Sequence, residues 1–191
     1  MRAGAAPVFG RPCRRSSRAR EAAGSQPAPL SLSPAGMSEE TDDAPYSGRI
    51  VGNEHRFAVR IYYEDTDAGG VVYHARYLGF FERARFDMLT RVGIDFLATL
   101  AADGSAYVVA EAELKYRAPA RLGDALTVVS SVGRIRSAGV VVHQRVMRND
   151  QVVVEGRVAV VFVGPDGRPR RQPEAWITAF EAISGGAEAR R

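Results

Sequence analysis

Four valine-rich segments follow one another closely in the second half of the chain: "AYVVAEAELKYR", "DALTVVSSVGRIR", "GVVVHQRVMR" and "QVVVEGRVAVVFV", within residues 106–163. β-Branched side chains suit the pleated, half-buried surface of a sheet, and "APARLGD", "SAG" and "ND" between them carry hairpin and turn residues. Strands near ten residues long joined by such short connections run antiparallel, because a parallel pair needs a crossover of a dozen residues or more. A four-stranded meander is therefore the feature that any fold of this chain must accommodate.

A fifth strand precedes it. "RFAVRIYY", residues 56–63, alternates Phe57, Val59, Ile61 and Tyr63 with Arg56, Ala58, Arg60 and Tyr62, the period of a half-buried strand. After a loop over 64–74 the period changes: Tyr77, Phe81, Ala84 and Met88 recur at spacings of four, three and four, with Phe80 and Leu89 widening the stripe. Glu82, Arg83, Arg85 and Asp87 take the other side, which predicts an amphipathic helix of about four turns ending near Gly93. "DFLATLAADG" predicts a short helix from Asp95 to Gly104, and "PEAWITAFEAI" a weak C-terminal one. The class is α+β: one long helix against a five-stranded antiparallel sheet. A single helix covers only one face, so the other face and a sheet edge await a second copy, and the fold predicts an oligomer, dimer or tetramer.

The charge is concentrated outside this region. The chain has a formal charge of +4, yet residues 1–36 hold six arginines against one acid, leaving 20 basic and 21 acidic side chains in the rest. The domain is thus near neutral, and the basic footprint of a nucleic-acid binder is missing from it. Residues 1–50, rich in Ala, Gly, Pro, Ser and Arg and without apolar periodicity, are expected to be a disordered tail, with Met37 as an alternative start. Residues 51–184 are the expected domain, and 185–191 a frayed end. No run of about 18 apolar residues predicts a membrane span. The one cysteine, Cys13, lies in the tail, so the domain has neither disulfide nor thiol chemistry, which fits a cytoplasmic setting.

The loop before the long helix, "YYEDTDAGGVVYHARYLGFFERAR", crowds Glu64, Asp65 and Asp67 ahead of Gly69, Gly70 and His74. A turn or helix cap needs only one acid. An EF-hand reading fails: with Asp65 and Asp67 at positions one and three, position five is Gly69 and position twelve is Arg76, where glutamate is required. No cysteine cluster or His-x-x-x-His pair offers zinc ligands, and no metal or cofactor is expected. A free carboxylate is ionised at neutral pH and, once positioned, serves as nucleophile or general base. Glycines let a substrate approach the backbone. A helix starting near His74 or Ala75 would aim its free N–H groups at a developing oxyanion. Carboxylate, glycines and helix start together are a minimal site for acyl transfer.

From Arg56 to Val163 the chain resembles hot-dog-fold acyl-CoA thioesterases of the 4-hydroxybenzoyl-CoA thioesterase type, most closely the tol-pal-associated branch. The likeness rests on the loop quoted above and, less specifically, on "RAPARLGDALTV". It implies a sheet wrapped around the long helix, hydrolysis of an acyl-CoA or acyl-carrier-protein thioester, and a site between two subunits. It implies that Asp67 is the catalytic acid, as nucleophile or general base, with Asp65 ordering the loop. It implies that the His74 backbone N–H binds the thioester oxygen while its side chain orients the carboxylate or water. Gly69, Gly70 and Tyr73 line that region, Tyr73 toward the acyl group, whereas Tyr77 falls on the core stripe. Glu82 is a second candidate, because another hot-dog branch uses a helix-borne glutamate. Coenzyme A phosphates need cations, for which Arg134 and Arg136 in "GRIRSAG" are the candidates. Two other functions share the fold: a dehydratase or hydratase, which places histidine where this loop has Asp67, and a non-catalytic acyl-thioester-binding scaffold, whose loop would lack the acid.

Overall fold

The computed structural model describes residues 46–185. Residues 1–45 of the tail expected over 1–50, with Met37, and residues 186–191 of the frayed end expected over 185–191 lie outside them. The elements run β1 (Arg49–Val51), β2 (Glu54–Arg60), α1 (Arg76–Arg91), α2 (Phe96–Asp103), β3 (Ala106–Tyr116), β4 (Ala125–Arg136), β5 (Gly139–Arg148), β6 (Gln151–Val163) and α3 (Glu174–Ile183). The strands form one antiparallel sheet in the order β1-β2-β4-β5-β6-β3.

Besides the strand order, in which β3 pairs with β6 rather than with β4 so that only β4, β5 and β6 form a meander, three sequence expectations need correction. The sheet has six strands rather than five: β1 pairs Arg49 with Arg56 and Val51 with Glu54. Three residues are too few to show a period, and the tail expected through residue 50 therefore ends too late. Second, the first long strand stops at Arg60 instead of Tyr63. Ile61 stays buried and donates its N–H to the Asp124 carbonyl at 3.0 Å, but Tyr63–Asp65 form a 3₁₀ turn, and Tyr63 is 82 % exposed. The cause is Asp65, whose Oδ2 accepts the Tyr62 N–H at 2.9 Å and so takes the place of a strand partner. Third, the polar side of α1 is not uniformly solvated, as Arg85 and Asp87 are both half-buried.

The core follows the predicted stripe. Tyr77, Phe80, Phe81, Ala84 and Met88 are buried on α1 and pack in one cluster with Val128, Val142, Val146, Val154 and Val158 from β4, β5 and β6. Each buried side chain of this size contributes about 1.5–3 kcal/mol relative to exposure. Trp176 and Phe180 of α3 are buried as well, and the Trp176 ring packs tilted against Tyr107 and edge-on against Phe162. By contrast α2, capped by the Asp95 side chain at one end and Gly104 at the other, buries no residue, and neither does β3. β3 bonds to β6 along one side, and among the described residues no strand bonds to its other side.

Candidate active site

The acid loop sits where several chain ends converge. Ala125 at the start of β4 faces Arg60 at the end of β2, and Tyr116 at the end of β3 faces Val154. Thr66 and Val72 form an isolated bridge, the Asp67 N–H donates to the Val71 carbonyl at 3.0 Å, and the Gly70 N–H donates to the Asp67 carbonyl at 3.0 Å. These bonds close a tight hairpin around Asp67. Gly70, at φ +72°, supplies the left-handed residue the turn needs. The hairpin is docked from outside by the Val72 N–H on the Ala120 carbonyl at 2.8 Å and by Arg121 Nη1 on the Gly70 carbonyl at 3.4 Å.

Asp65 and Asp67 have opposite surroundings. Asp65 is 2 % exposed; its Oδ1 accepts from Arg76 Nε at 2.8 Å and Nη2 at 2.6 Å, its Oδ2 from the Tyr62 N–H, and its carbonyl from the Tyr73 N–H at 2.9 Å. Every acceptor is occupied. Asp67 is exposed, and its carboxylate accepts one bond, from the Gly69 N–H at 2.8 Å, which leaves Oδ2 without a partner among the described residues. Glu64 is exposed in the 3₁₀ turn and lies 3.5 Å from Arg76 Nη2.

The helix begins at Arg76, one or two residues later than expected, with Ala75 at the cap position and no side chain capping it. Alanine offers no side-chain acceptor to the first helical N–H groups, and the N–H groups of His74 and Ala75 just ahead of them have no acceptor among the described residues. His74 is exposed; its carbonyl accepts from the Tyr116 hydroxyl at 3.1 Å, and its ring lies 4.4 Å from that of Tyr73. The hairpin carrying Asp67, the exposed Tyr73, and the open helix start at His74 thus occupy one continuous loop. A carboxylate with a free oxygen beside unpaired N–H donors can meet a carbonyl carbon and its oxygen at the same time.

The remaining candidates lie elsewhere. Glu82 is six residues into α1, about 9 Å along the axis from Arg76, and lines an apolar groove between α1, α2 and β3. Arg134 and Arg136 are not in the hairpin between strands but within the last residues of β4. Nine strand residues separate Ala125 from Arg134, about 30 Å, so within one chain β4 carries both arginines away from the loop. Sequence reasoning missed Arg76, the partner of Asp65, and Tyr116, which holds the His74 carbonyl. Neither stands at a spacing that marks it. Arg76 is eleven residues from its acid and Tyr116 comes from another strand.

A sheet curled on one helix, with an exposed loop acid at that helix's open start, defines the hot-dog fold of thioester-handling proteins. The chain belongs to the thioesterase-like superfamily, whose family model matches residues 62–180. It is 41 % identical over 128 residues to the acyl-CoA thioester hydrolase YbgC of Escherichia coli O6:H1, spanning 66 % of this chain and 95 % of that protein. The acyl-CoA thioesterase YbgC of Haemophilus influenzae is 42 % identical over 114 residues, 60 % of this chain and 84 % of the relative. Among solved structures, a probable thioesterase from Bartonella henselae superposes with a TM-score of 0.59 at 34 % identity, covering 63 % of this chain and 99 % of that one.

Proposed function

We propose that this chain is an acyl-CoA thioesterase that splits an acyl-CoA into the free acid and CoA-SH, with Asp67 as the reacting carboxylate and the N–H groups at the start of α1 as the oxyanion donors. The observation that carries the reading is the pairing of an exposed Asp67, bonded only to the Gly69 N–H, with an uncapped helix start at His74 and Ala75. Two routes use the same groups. In one, Asp67 attacks the thioester carbon, the thiolate leaves and takes up a proton, and water hydrolyses the mixed anhydride. In the other, Asp67 removes a proton from the attacking water. Asp65, saturated by Arg76 and Tyr62, shapes the loop in both. The family membership and the names of its relatives support the substrate class. A cytoplasmic setting, with CoA and carrier-protein thioesters as candidate substrates, goes with this reading.

The working unit in this proposal is a homo-oligomer built on β3. An eleven-residue edge strand with no buried side chain and exposed Val108 and Val109 is a ready template for a further strand. Two-fold pairing of β3 with its own copy would run antiparallel and exchange its ends. Tyr116, which holds the acid loop, would then approach Tyr107 and Val109 of the other copy, which line the groove containing Glu82. Each site would combine the loop of one copy with the helix face of the other, and Glu82→Gln tests that contribution.

The experiment is turnover of purified protein on short, long and aromatic acyl-CoAs and on acyl-carrier-protein thioesters, alongside Asp67→Asn. Release of CoA-SH that vanishes in a folded Asp67→Asn variant is expected. Retained hydrolysis in that variant sinks the mechanism, and enoyl-CoA hydration without thioester cleavage sinks the activity.

A further inference from the structure

Several arginines at the sheet meet a carboxylate: Arg117 meets Glu155, Arg145 meets Glu54, Arg148 meets Asp124, and Arg157 meets Glu111. Arg85 does not. It projects from α1 into partly enclosed surroundings, and its one hydrogen-bonding partner among the described residues is the Gln144 Oε1, 2.8 Å from Nη1. Gln144 is itself buried in β5, and its Nε2 donates to the Phe81 carbonyl at 3.0 Å and to Ser130 Oγ at 2.9 Å. That amide has its donors committed to the core, so its oxygen is aimed at Arg85 and holds the guanidinium in place. A guanidinium has five N–H donors, and this one uses a single donor.

What Arg85 faces is apolar. The groove it lines with Glu82 is otherwise walled mainly by Phe86, Leu89, Phe96, Val109 and Val142. Its volume is about 170 Å³, close to the roughly 150 Å³ of an apolar cavity that accepts benzene, which sets the guest at about six carbon atoms. Glu82 is the nearest acid but does not close an ion pair with Arg85: it is exposed and stands one turn toward the helix start. Burial lowers the pKa of Arg85 and Glu82 raises it only in second place, so the cation is under-compensated where it stands. A carboxylate in contact is the group that compensates it most, by a charge-assisted, two-pronged bond.

We propose that Arg85, held by Gln144, reads the far end of the acyl group and selects short acyl chains, of about six carbons, that end in a carboxylate. The proposal rests on the thioesterase reading and names the substrate class of that same site. The thioester would sit at the acid loop of one copy and the tail would enter the groove of the other, joined by the exchange of β3 ends described above. Glu82, on the groove's solvent side, disfavours a second negative charge there and so sets the length at which the carboxylate is accepted.

The test compares adipoyl-CoA with hexanoyl-CoA, which match in length and differ in the terminal carboxylate. The kcat/KM ratio, adipoyl over hexanoyl, is expected above ten in the unaltered protein and to fall about ten- to hundredfold in Arg85→Met, with Arg85→Lys intermediate. A merely structural Arg85 would lower both substrates together and leave the ratio alone. A ratio at or below one in the unaltered protein, or one that Arg85→Met does not move, overturns the proposal while leaving the thioesterase reading intact. Binding of hexanoate against hexanamide, which match in chain and differ in the carboxylate, followed by thermal shift, reads the same contrast without turnover. Equal shifts, or a hexanoate shift that survives Arg85→Met, overturn it too. Failure to cleave any acyl-CoA would count against the activity alone, since the binding arm still decides the role of Arg85.

Discussion

The two ends of α1 are each tied by a carboxylate to the segment that precedes the helix in the chain, and the two ties are built differently. At the N-terminal end Asp65 lies in a guanidinium fork, Arg76 Nε and Nη2 at 2.8 and 2.6 Å, with a backbone N–H on its second oxygen. At the C-terminal end Asp87 collects Ser47 Oγ at 3.0 Å, the Gly48 N–H at 2.9 Å and His55 Nε2 at 2.6 Å. His55 is 0 % exposed, and with Nε2 donating to Asp87 its Nδ1 has no partner among the described residues. Gly48 closes the second tie: a Cβ there would lie 2.5 Å from His55 Nε2. Arginine keeps its charge at any ordinary pH, whereas a buried histidine does not. The first tie therefore rests on a permanent cation, and the second holds β1 with a group that can titrate. Between the ties one loop acid is left free. In the proposed mechanism the contrast gives shape to Asp65, anchorage to Asp87 and chemistry to Asp67.

The largest expected effect separates the two loop acids. Asp67→Asn should lower kcat by about 10²–10⁴-fold, the range lost with a positioned base or nucleophile, with the thermal midpoint unchanged because the side chain is exposed and its one bond, from the Gly69 N–H, can be remade by the amide oxygen. Asp65→Ala should cost mainly stability, with a smaller loss of kcat from the loosened loop. It leaves Arg76 and the Tyr62 N–H without their acceptor and should cost about 2–3 kcal/mol in urea unfolding. That is below the cost of breaking a fully buried pair, because Arg76 is 37 % exposed and can turn to water. If the two variants lose activity and stability in parallel, the division of roles is wrong.

The second tie is tested by pH. Burial, the leading cause, lowers the pKa of His55 from its ordinary 6.5, against the opposing pull of Asp87. The unfolded chain then binds the proton more readily than the folded one, so the stability linked to His55 is complete above pH 6.5 and is lost as pH falls from there through the folded-state pKa. The slope should reach at most about 1.4 kcal/mol per pH unit for one proton. Unfolding free energies measured from pH 7.5 down to 5 should fall more steeply in the unaltered protein than in His55→Asn. Equal slopes would show that the histidine does not titrate with folding. Asp65→Ala, by contrast, should leave this slope untouched.

The sequence disclosed the regular parts of this architecture because each carries a local signal: alternation in β2, valine-rich runs bounded by turn residues in β3 to β6, and the three-and-four spacing of Tyr77, Phe81, Ala84 and Met88 in α1. It did not disclose β1, which is too short for any period, nor the contacts that shape the site. Arg76 could be counted only as the first residue of a helix, and Arg85 as one more charge on its polar side. Their roles come from partners 11 and 59 residues away. Arg134 and Arg136, the candidates for CoA phosphates, stand at the end of β4 remote from the acid loop of their own chain, a separation that rests on the pairing of Ala125 with Arg60 and of Arg136 with Gly139. Identity of residue type was legible, and so was the crowding of acids; which acid is saturated depends on the fold.

The smallest expected effect lies in the two glycines beside Asp67 and sharpens the contrast within one turn. At Gly70 the backbone has φ +72° and a Cβ would meet nothing within 4 Å, so Gly70→Ala carries only the left-handed strain, about 1 kcal/mol of stability. At Gly69 a Cβ would stand 3.0 Å from Asp67 Oδ1, the oxygen its own N–H holds. Gly69→Ala should therefore displace the carboxylate with little loss of stability, because Asp67 is exposed and free to turn away, and the change should appear in kcat. Thermal midpoints and kcat for the two variants would be expected to cross: Gly70→Ala lower in midpoint and near normal in rate, Gly69→Ala near normal in midpoint and several-fold slower. A several-fold slower rate in both would mean that the whole hairpin, rather than the Asp67 side chain, sets the reaction. A normal rate in Gly69→Ala would mean that its N–H bond does not orient the reacting oxygen.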